Sequence, residues 1–262
     1  MRVGISSASF YGWQETEEHA ARAAALGPDV CEVFLETHSE YSADFGRLVR
    51  ERLNGVPCVS VHPKGTQFET DLFGQSQRQR ADALAIFTRV CEAGQAMGAG
   101  FYVMHGPGTA NTRRRPEDIR LLLPVMAQMA EIAAGHGLRV LWENVSWCSV
   151  RTPEDVLSVR RLLPELGFVL DVKQAWRAGQ TPYEILAAMG ERICHVHALD
   201  LDADGRFILP GTPGGRTDWP QLMRQLRDQG FDGSIILEPY AGQATDDASL
   251  RRSMDFLRSV SA

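Results

Sequence analysis

Glu143, Asp171, His197 and Glu238 each close a short apolar run: VLWE, GFVLD, ICHVH and SIILE. Runs of four to six residues rich in Val, Ile and Leu read as buried strands, and a polar residue at the C-terminal end of each needs a physical reason. Three carboxylates and one imidazole at four strand ends form a ligand set for a hard or borderline divalent cation. Without a cation, such buried carboxylates would repel one another at a cost of several kcal/mol. His62 and His105 end two further apolar runs. They either complete a second metal site that shares Glu143 or hydrogen-bond a substrate as neutral imidazoles. His195 is expected on the opposite face of its strand from His197, packed under a helix. Lys173, beside Asp171, is expected to point away from the ligand side.

These residues act together only if the chain gathers the strand ends. Alternating patterns give strands at Val3–Ser6, Val30–Leu35, Pro57–Val61, Phe101–Met104 and at the four runs above. Helical patterns lie between them: Glu15–Leu26 closed by Gly27, Ser42–Leu53, and a long helix with Ala83, Ile86, Phe87, Val90 and Ala93 on one face. A helix over Glu117–Ala134 opens at Pro116, with Pro124 expected to kink or interrupt it. Thr152-Pro153-Glu154-Asp155 and Thr181-Pro182-Tyr183-Glu184 mark two further helix starts. The loop LDADGRFILPGTPGGRTDW is too long to be a mere connector. Asp218 then caps a helix over Trp219–Gln229, and a last helix covers Asp247–Val260.

Eight strand–helix units without a linker imply one domain over residues 1–262, an α/β (β/α)8 TIM barrel whose strand C-termini share one face. An open doubly wound sheet is the alternative, but SSASFYGW after the first strand carries no GxGxxG. Aromatics fall at the expected rim: Phe10, Tyr11, Trp13, Trp147 and Trp176, surfaces on which the apolar face of a sugar packs. Arg113-Arg114-Arg115 is a candidate receiver for a phosphate or carboxylate.

The formal charge of -6 argues against a broad nucleic-acid footprint. Five scattered cysteines with no CxxC fit reduced thiols rather than disulfides. With no signal-like N-terminal segment and no apolar run of membrane-spanning length, a soluble, cytoplasmic protein is expected.

WEN, LDxxxA, HVHxxD, a PG-rich loop ending in DW, and LEP, spread over the eight units, resemble the xylose isomerase-like barrel superfamily. That superfamily contains sugar and sugar-phosphate isomerases and epimerases together with endonuclease IV. In its ketose 3-epimerases, residues matching Glu143, Asp171, His197 and Glu238 hold one divalent ion, and the two glutamates exchange a substrate proton. The resemblance therefore implies catalysis by Glu143 and Glu238 through an enediolate, with one ion among manganese, magnesium, cobalt and zinc, and room for a second sharing Glu143. The chain departs from those enzymes at Gln174, where they often carry histidine. It also lacks their arginine shortly after the strand-seven histidine, for which Arg206 is a substitute candidate.

The first site of endonuclease IV matches His62, His105 and Glu143, but its third site needs a histidine at Gln174 and another where Asp218-Trp219-Pro220 stands. The first expectation is thus a metal-dependent isomerase or epimerase of carbohydrate metabolism, acting on a small sugar bound by Trp13, Trp147, Gln174, Trp176 and Arg206. Two alternatives stay open, a metal-dependent phosphodiesterase or AP endonuclease-like hydrolase and a non-catalytic sugar-binding barrel. A homo-oligomer is compatible with either.

Overall fold

The computed structural model describes residues 1–12, 14–65, 68–108, 119–240 and 246–261. Seven strands come first: β1 (Arg2–Ser6), β2 (Val30–Leu35), β3 (Cys58–Pro63), β4 (Phe101–Met104), β5 (Arg139–Glu143), β6 (Gly167–Asp171) and β7 (Ile193–Ala198). A small antiparallel hairpin follows, β8 (Asp200–Leu201) with β9 (Phe207–Ile208), and then β10 (Ser234–Leu237). β1 to β7 follow one another in parallel around a closed barrel, which β10 completes by pairing with both β7 and β1. The expected (β/α)8 barrel is what the chain forms, with the hairpin inserted in the long loop after the seventh strand.

The helices on the outside are α1 (Thr16–Ala25), α2 (Ala43–Arg52), α3 (Glu69–Leu72), α4 (Gln77–Met97), α5 (Leu123–Gly135), α6 (Pro153–Leu162), α7 (Val172–Arg177), α8 (Pro182–Met189), α9 (Trp219–Asp228) and α10 (Asp247–Ser261). Their starts follow local chemistry. Thr152 with Asp155, and Thr181 with Glu184, form reciprocal capping boxes, while Ser42 and Asp218 cap α2 and α9 by accepting from Phe45 N and Gln221 N. One expectation is corrected. Pro124 neither kinks nor interrupts a helix: it stands in the first turn of α5, after a 3-10 turn at Ile119–Leu122. A proline there lacks only an N–H that has no intrahelical partner in any case. Pro116 and Glu117 lie outside the described residues.

The large apolar core lies between strands and helices, and two small clusters stand apart from it: Val30, Val59 and Ile236, and Val103, Leu141 and Val169. All six come from strands, and they plug the barrel interior as branched side chains do in this architecture. For five of the six, the residue two positions further along is a polar group on the same face; Val59 is the exception, at the register shift between β2 and β3. Glu32 follows Val30, His105 follows Val103, Glu143 follows Leu141, Asp171 follows Val169 and Glu238 follows Ile236. A single period of two therefore builds the dry plug and, above it, the polar side chains of the site. Gly4 is required at this level, because a Cβ there would lie 2.5 Å from the Val30 carbonyl oxygen.

The same rule corrects the expectation for His195. Residues two apart point the same way, so His195 and His197 both face the barrel interior, opposite Val169 and Asp171 of β6. His195 is fully buried there, in contact with Glu32.

Candidate active site

At the C-terminal ends of β5, β6, β7 and β10, one ligand atom each from Glu143, Asp171, His197 and Glu238 lies within 4.8 Å of the others, and all four side chains are buried. His197 Nδ1 stands 3.1 Å from Glu143 Oε1 and 3.3 Å from Glu238 Oε2. Asn144 ties the strand ends together. Its Nδ2 donates to the Asp171 carbonyl (2.9 Å) and its Oδ1 accepts from Asp171 N (2.8 Å). The sequence carries this signal in the N of WEN. Asp171 also starts α7, where its Oδ1 accepts from Gln174 N at 2.8 Å.

Lys173 overturns its expected orientation. The chain leaves β6 at Asp171 and coils at once into α7, so strand alternation no longer applies at position 173. Its ammonium is buried and reaches Asp171 Oδ2 at 2.5 Å and Glu238 Oε2 at 2.7 Å. A helical turn at a strand end brings residue i+2 back over the site.

His62 and His105 approach Glu143 Oε2 at 3.6 and 3.2 Å, their rings 4.6 Å apart. These three form a second group able to hold an ion. The backbone of His105 is fixed from two sides: its N–H donates to Glu69 Oε2 (3.3 Å), and its carbonyl accepts from Trp142 Nε1 (3.2 Å). Glu69, from the four-residue α3, also accepts from Tyr102 OH at 2.9 Å. So short a helix gives no periodic signal in the sequence.

Burial opposes charge on His197, yet Glu238, Glu32 and Glu143 around it hold its pKa well above the usual histidine value. Burial likewise works against ionised Glu143, but His197 and His105 hold it well below the usual carboxylate range. Asp171 is pushed up to about 7 by burial, with Lys173 opposing and Glu143 and Glu238 adding to the rise. Burial would discharge Lys173, but Asp171 and Glu238 keep its pKa well above the lysine value. Crowded acids with too few cations show this pattern. Among the described residues, Glu143 Oε2, Glu238 Oε1 and both His62 ring nitrogens find no hydrogen-bond partner although buried. A divalent ion fits this donor set, since oxygen and imidazole ligands left without a proton partner are what it requires.

The other predicted residues fall at varying distances. Trp147 is partly exposed, with its ring 5.7 Å from that of His105. Gln174 Oε1 accepts from Ser146 N and Oγ (3.2 and 2.7 Å), anchoring the loop after β5. Trp176 Nε1 donates to Thr217 Oγ1 (3.0 Å). Arg206 is not brought to the cluster: it sits on the β8–β9 hairpin, 74% exposed, paired with Asp204. Phe10 is buried, with Arg22 stacked over its ring, while Tyr11 OH accepts from Lys64 Nζ at 2.7 Å. Trp13 and Arg113 to Arg115 lie outside the described residues.

A protein-family comparison matches residues 20–260 to the xylose isomerase-like TIM barrel. The chain belongs to that family. Among solved structures, a D-psicose 3-epimerase crystallised in the presence of D-fructose superposes with a TM-score of 0.83 at 17% identity, covering 100% of this chain and 99% of that one. The IOLI protein with a bound zinc atom gives 0.77 at 17% identity, over 99% and 96% of the two chains. Likeness at this identity speaks for the fold. An inosose dehydratase of Clostridium botulinum (strain Alaska E43 / Type E3) is 21% identical over 160 residues, 53% of this chain and 51% of the relative. The chain thus spans about half the length of the curated relatives it matches.

Proposed function

We propose that the chain is a divalent-metal-dependent isomerase or epimerase acting on a sugar or sugar phosphate, with Glu143 and Glu238 as its acid/base pair. The observation that carries this reading is the buried convergence of Glu143, Asp171, His197 and Glu238 within 4.8 Å at the C-terminal face of the barrel. Glu143, Asp171, His197 and Glu238 would hold the ion, whose Lewis acidity toward a ketone oxygen would lower the barrier to removing the proton on the neighbouring carbon. Glu143 and Glu238 approach from strands separated in the barrel by β6 and β7, so one can take a proton that the other returns. Among the described residues each keeps one oxygen without a hydrogen-bond partner, Oε2 of Glu143 and Oε1 of Glu238, open to the ion or to a substrate proton. Lys173 occupies Glu238 Oε2 and fixes which oxygen is left.

The relatives' names support this class. Epimerisation of a ketose and dehydration of an inosose both begin by removing a proton beside a carbonyl. Trp147, Gln174, Trp176 and Trp13 form the proposed sugar-facing set, Gln174 acting through Ser146. Solvent deuterium should enter a ketose or ketose phosphate when the Mn2+-loaded protein turns it over, and E143Q or E238Q should abolish that exchange with the fold intact. Near wild-type exchange in either variant would refute the two-carboxylate mechanism. Loss of water from the product, read by mass, would instead assign dehydration.

One observation favours a second reading. The group His62, His105 and Glu143 would let two ions share Glu143, the arrangement of two-metal phosphodiester hydrolysis. Two ions per chain with cleavage of an abasic duplex would establish it, whereas one ion and no DNA affinity at low salt would exclude it.

A further inference from the structure

Beneath the proposed ligands lies a polar layer that proton transfer does not use. Glu32 of β2, Ser60 of β3 and His195 of β7 are fully buried in the barrel. Apolar branched side chains ordinarily fill such a layer, so an acid, a hydroxyl and an imidazole there need a reason. They converge on one atom. Glu32 Oε2 accepts from Ser60 Oγ at 2.7 Å and lies 3.3 Å from His195 Nε2 and 3.2 Å from His197 Nε2.

The two ring nitrogens of His197 thus face different surroundings. Nδ1 looks up at Glu143 and Glu238, and Nε2 looks down at Glu32. A neutral imidazole carries one N–H, so if Nε2 donates downward the Nδ1 lone pair is directed at the cluster.

We propose that Glu32 is a positioning residue: it accepts the Nε2–H of His197 and thereby fixes the tautomer and ring orientation that present Nδ1 as a metal ligand. Ser60 and His195 hold Glu32 in turn. The inference rests on the metal reading above and assigns which nitrogen binds. A carboxylate behind a ligating histidine also raises its basicity, and losing such a partner typically weakens metal binding about 10–100-fold. The same Glu32, His195 and His197 atoms are close enough to hold an ion themselves. His197 would then have to bridge two ions with neither nitrogen protonated, which a direct measurement distinguishes.

The test uses the full chain loaded with Zn2+, with 15N-labelled histidine, observed by long-range proton–nitrogen NMR. Nε2 of His197 should be protonated and Nδ1 shifted by the metal. A metal-shifted Nε2, or a ring with no proton, would overturn the proposal without any mutation. In parallel, Zn2+ and Mn2+ affinities are measured by chelator competition, and E32Q should bind both ions about 10–100-fold more weakly than wild type. Wild-type affinity in E32Q overturns the positioning role alone. Failure of the wild-type chain to take up either ion overturns the metal reading and this inference with it.

Discussion

Among single side chains, Lys173 offsets the buried acids of the proposed metal site. Its ammonium is, among the described residues, the non-histidine cation in contact with the four-residue group, bridging Asp171 and Glu238. Removing one partner of a buried ion pair leaves an uncompensated charge, at a cost of about 3–5 kcal/mol. K173M should therefore lose that much stability in denaturant titrations with chelator present, and regain part of it in saturating Mn2+. An equal loss with and without Mn2+ would show that the lysine is structural for another reason. The pH dependence of ion uptake follows from the same residues. Binding needs ionised Asp171 and neutral His197, whereas burial lifts Asp171 to about 7 and the surrounding carboxylates hold protonated His197 above the usual value. Ion uptake therefore releases protons, and affinity should climb as pH rises through 7; calorimetry in buffers of different ionisation heat would show it. A flat affinity with no proton release would contradict these assignments. The four proposed ligands were legible in the sequence because each ends an apolar strand. Glu32 was not, because one acid inside CEVFL reads as an ordinary alternating position, and Lys173 escapes the alternation rule because α7 begins at Val172.

Between residue and fold, turns and helix starts set the site's geometry. Gly106 follows His105 with φ +77, and a Cβ there would lie 2.7 Å from Trp142 Nε1, the group that holds the His105 carbonyl. G106A should cost about 1–3 kcal/mol through backbone strain, with the indole displaced. Thermal melts and Trp fluorescence check this, and an unchanged melt would show that the turn relaxes freely. T181A removes the cap of α8 and should cost about 1 kcal/mol, because α8 packs against β6 and carries no ligand; metal affinity should stay unchanged. The long helices and their caps were legible because capping boxes and C-terminal glycines are local chemistry. The four-residue α3, the six-residue α7 and the two-residue strands β8 and β9 were not, since none spans enough residues to show a period. Pro124 reads as a breaker in the sequence for a related reason. Proline is tolerated in a first turn and disruptive in an interior one, and the choice depends on where the helix begins.

For the whole molecule, eight strand–helix units were enough to foresee a closed barrel, because parallel strands with helical crossovers have few ways to close. What the pattern did not convey was how the interior divides between a dry plug and a charged layer above it. Val30, Val103, Leu141, Val169 and Ile236 are each followed two residues later by an ionisable group, so the plug and the site are built by the same strands. Four acids, Glu32, Glu143, Asp171 and Glu238, are thereby buried together against one lysine and the histidines His62, His105, His195 and His197. The fold thus buries four carboxyl groups together in its barrel, and a bound dication should stabilise the entire domain rather than one loop. At a free-ion concentration about 100 times the dissociation constant, the gain should be about 2.7 kcal/mol, equivalent to a rise of about 5–10 °C in Tm for a chain of this size. Calorimetric melts with Mn2+ or Zn2+, set against melts in chelator, measure it. The rise should vanish in a variant carrying both D171N and E238Q, because those substitutions neutralise two of the four proposed ligands. A wild-type melt unmoved by either ion would mean that Lys173 and the histidines already balance the buried acids by themselves.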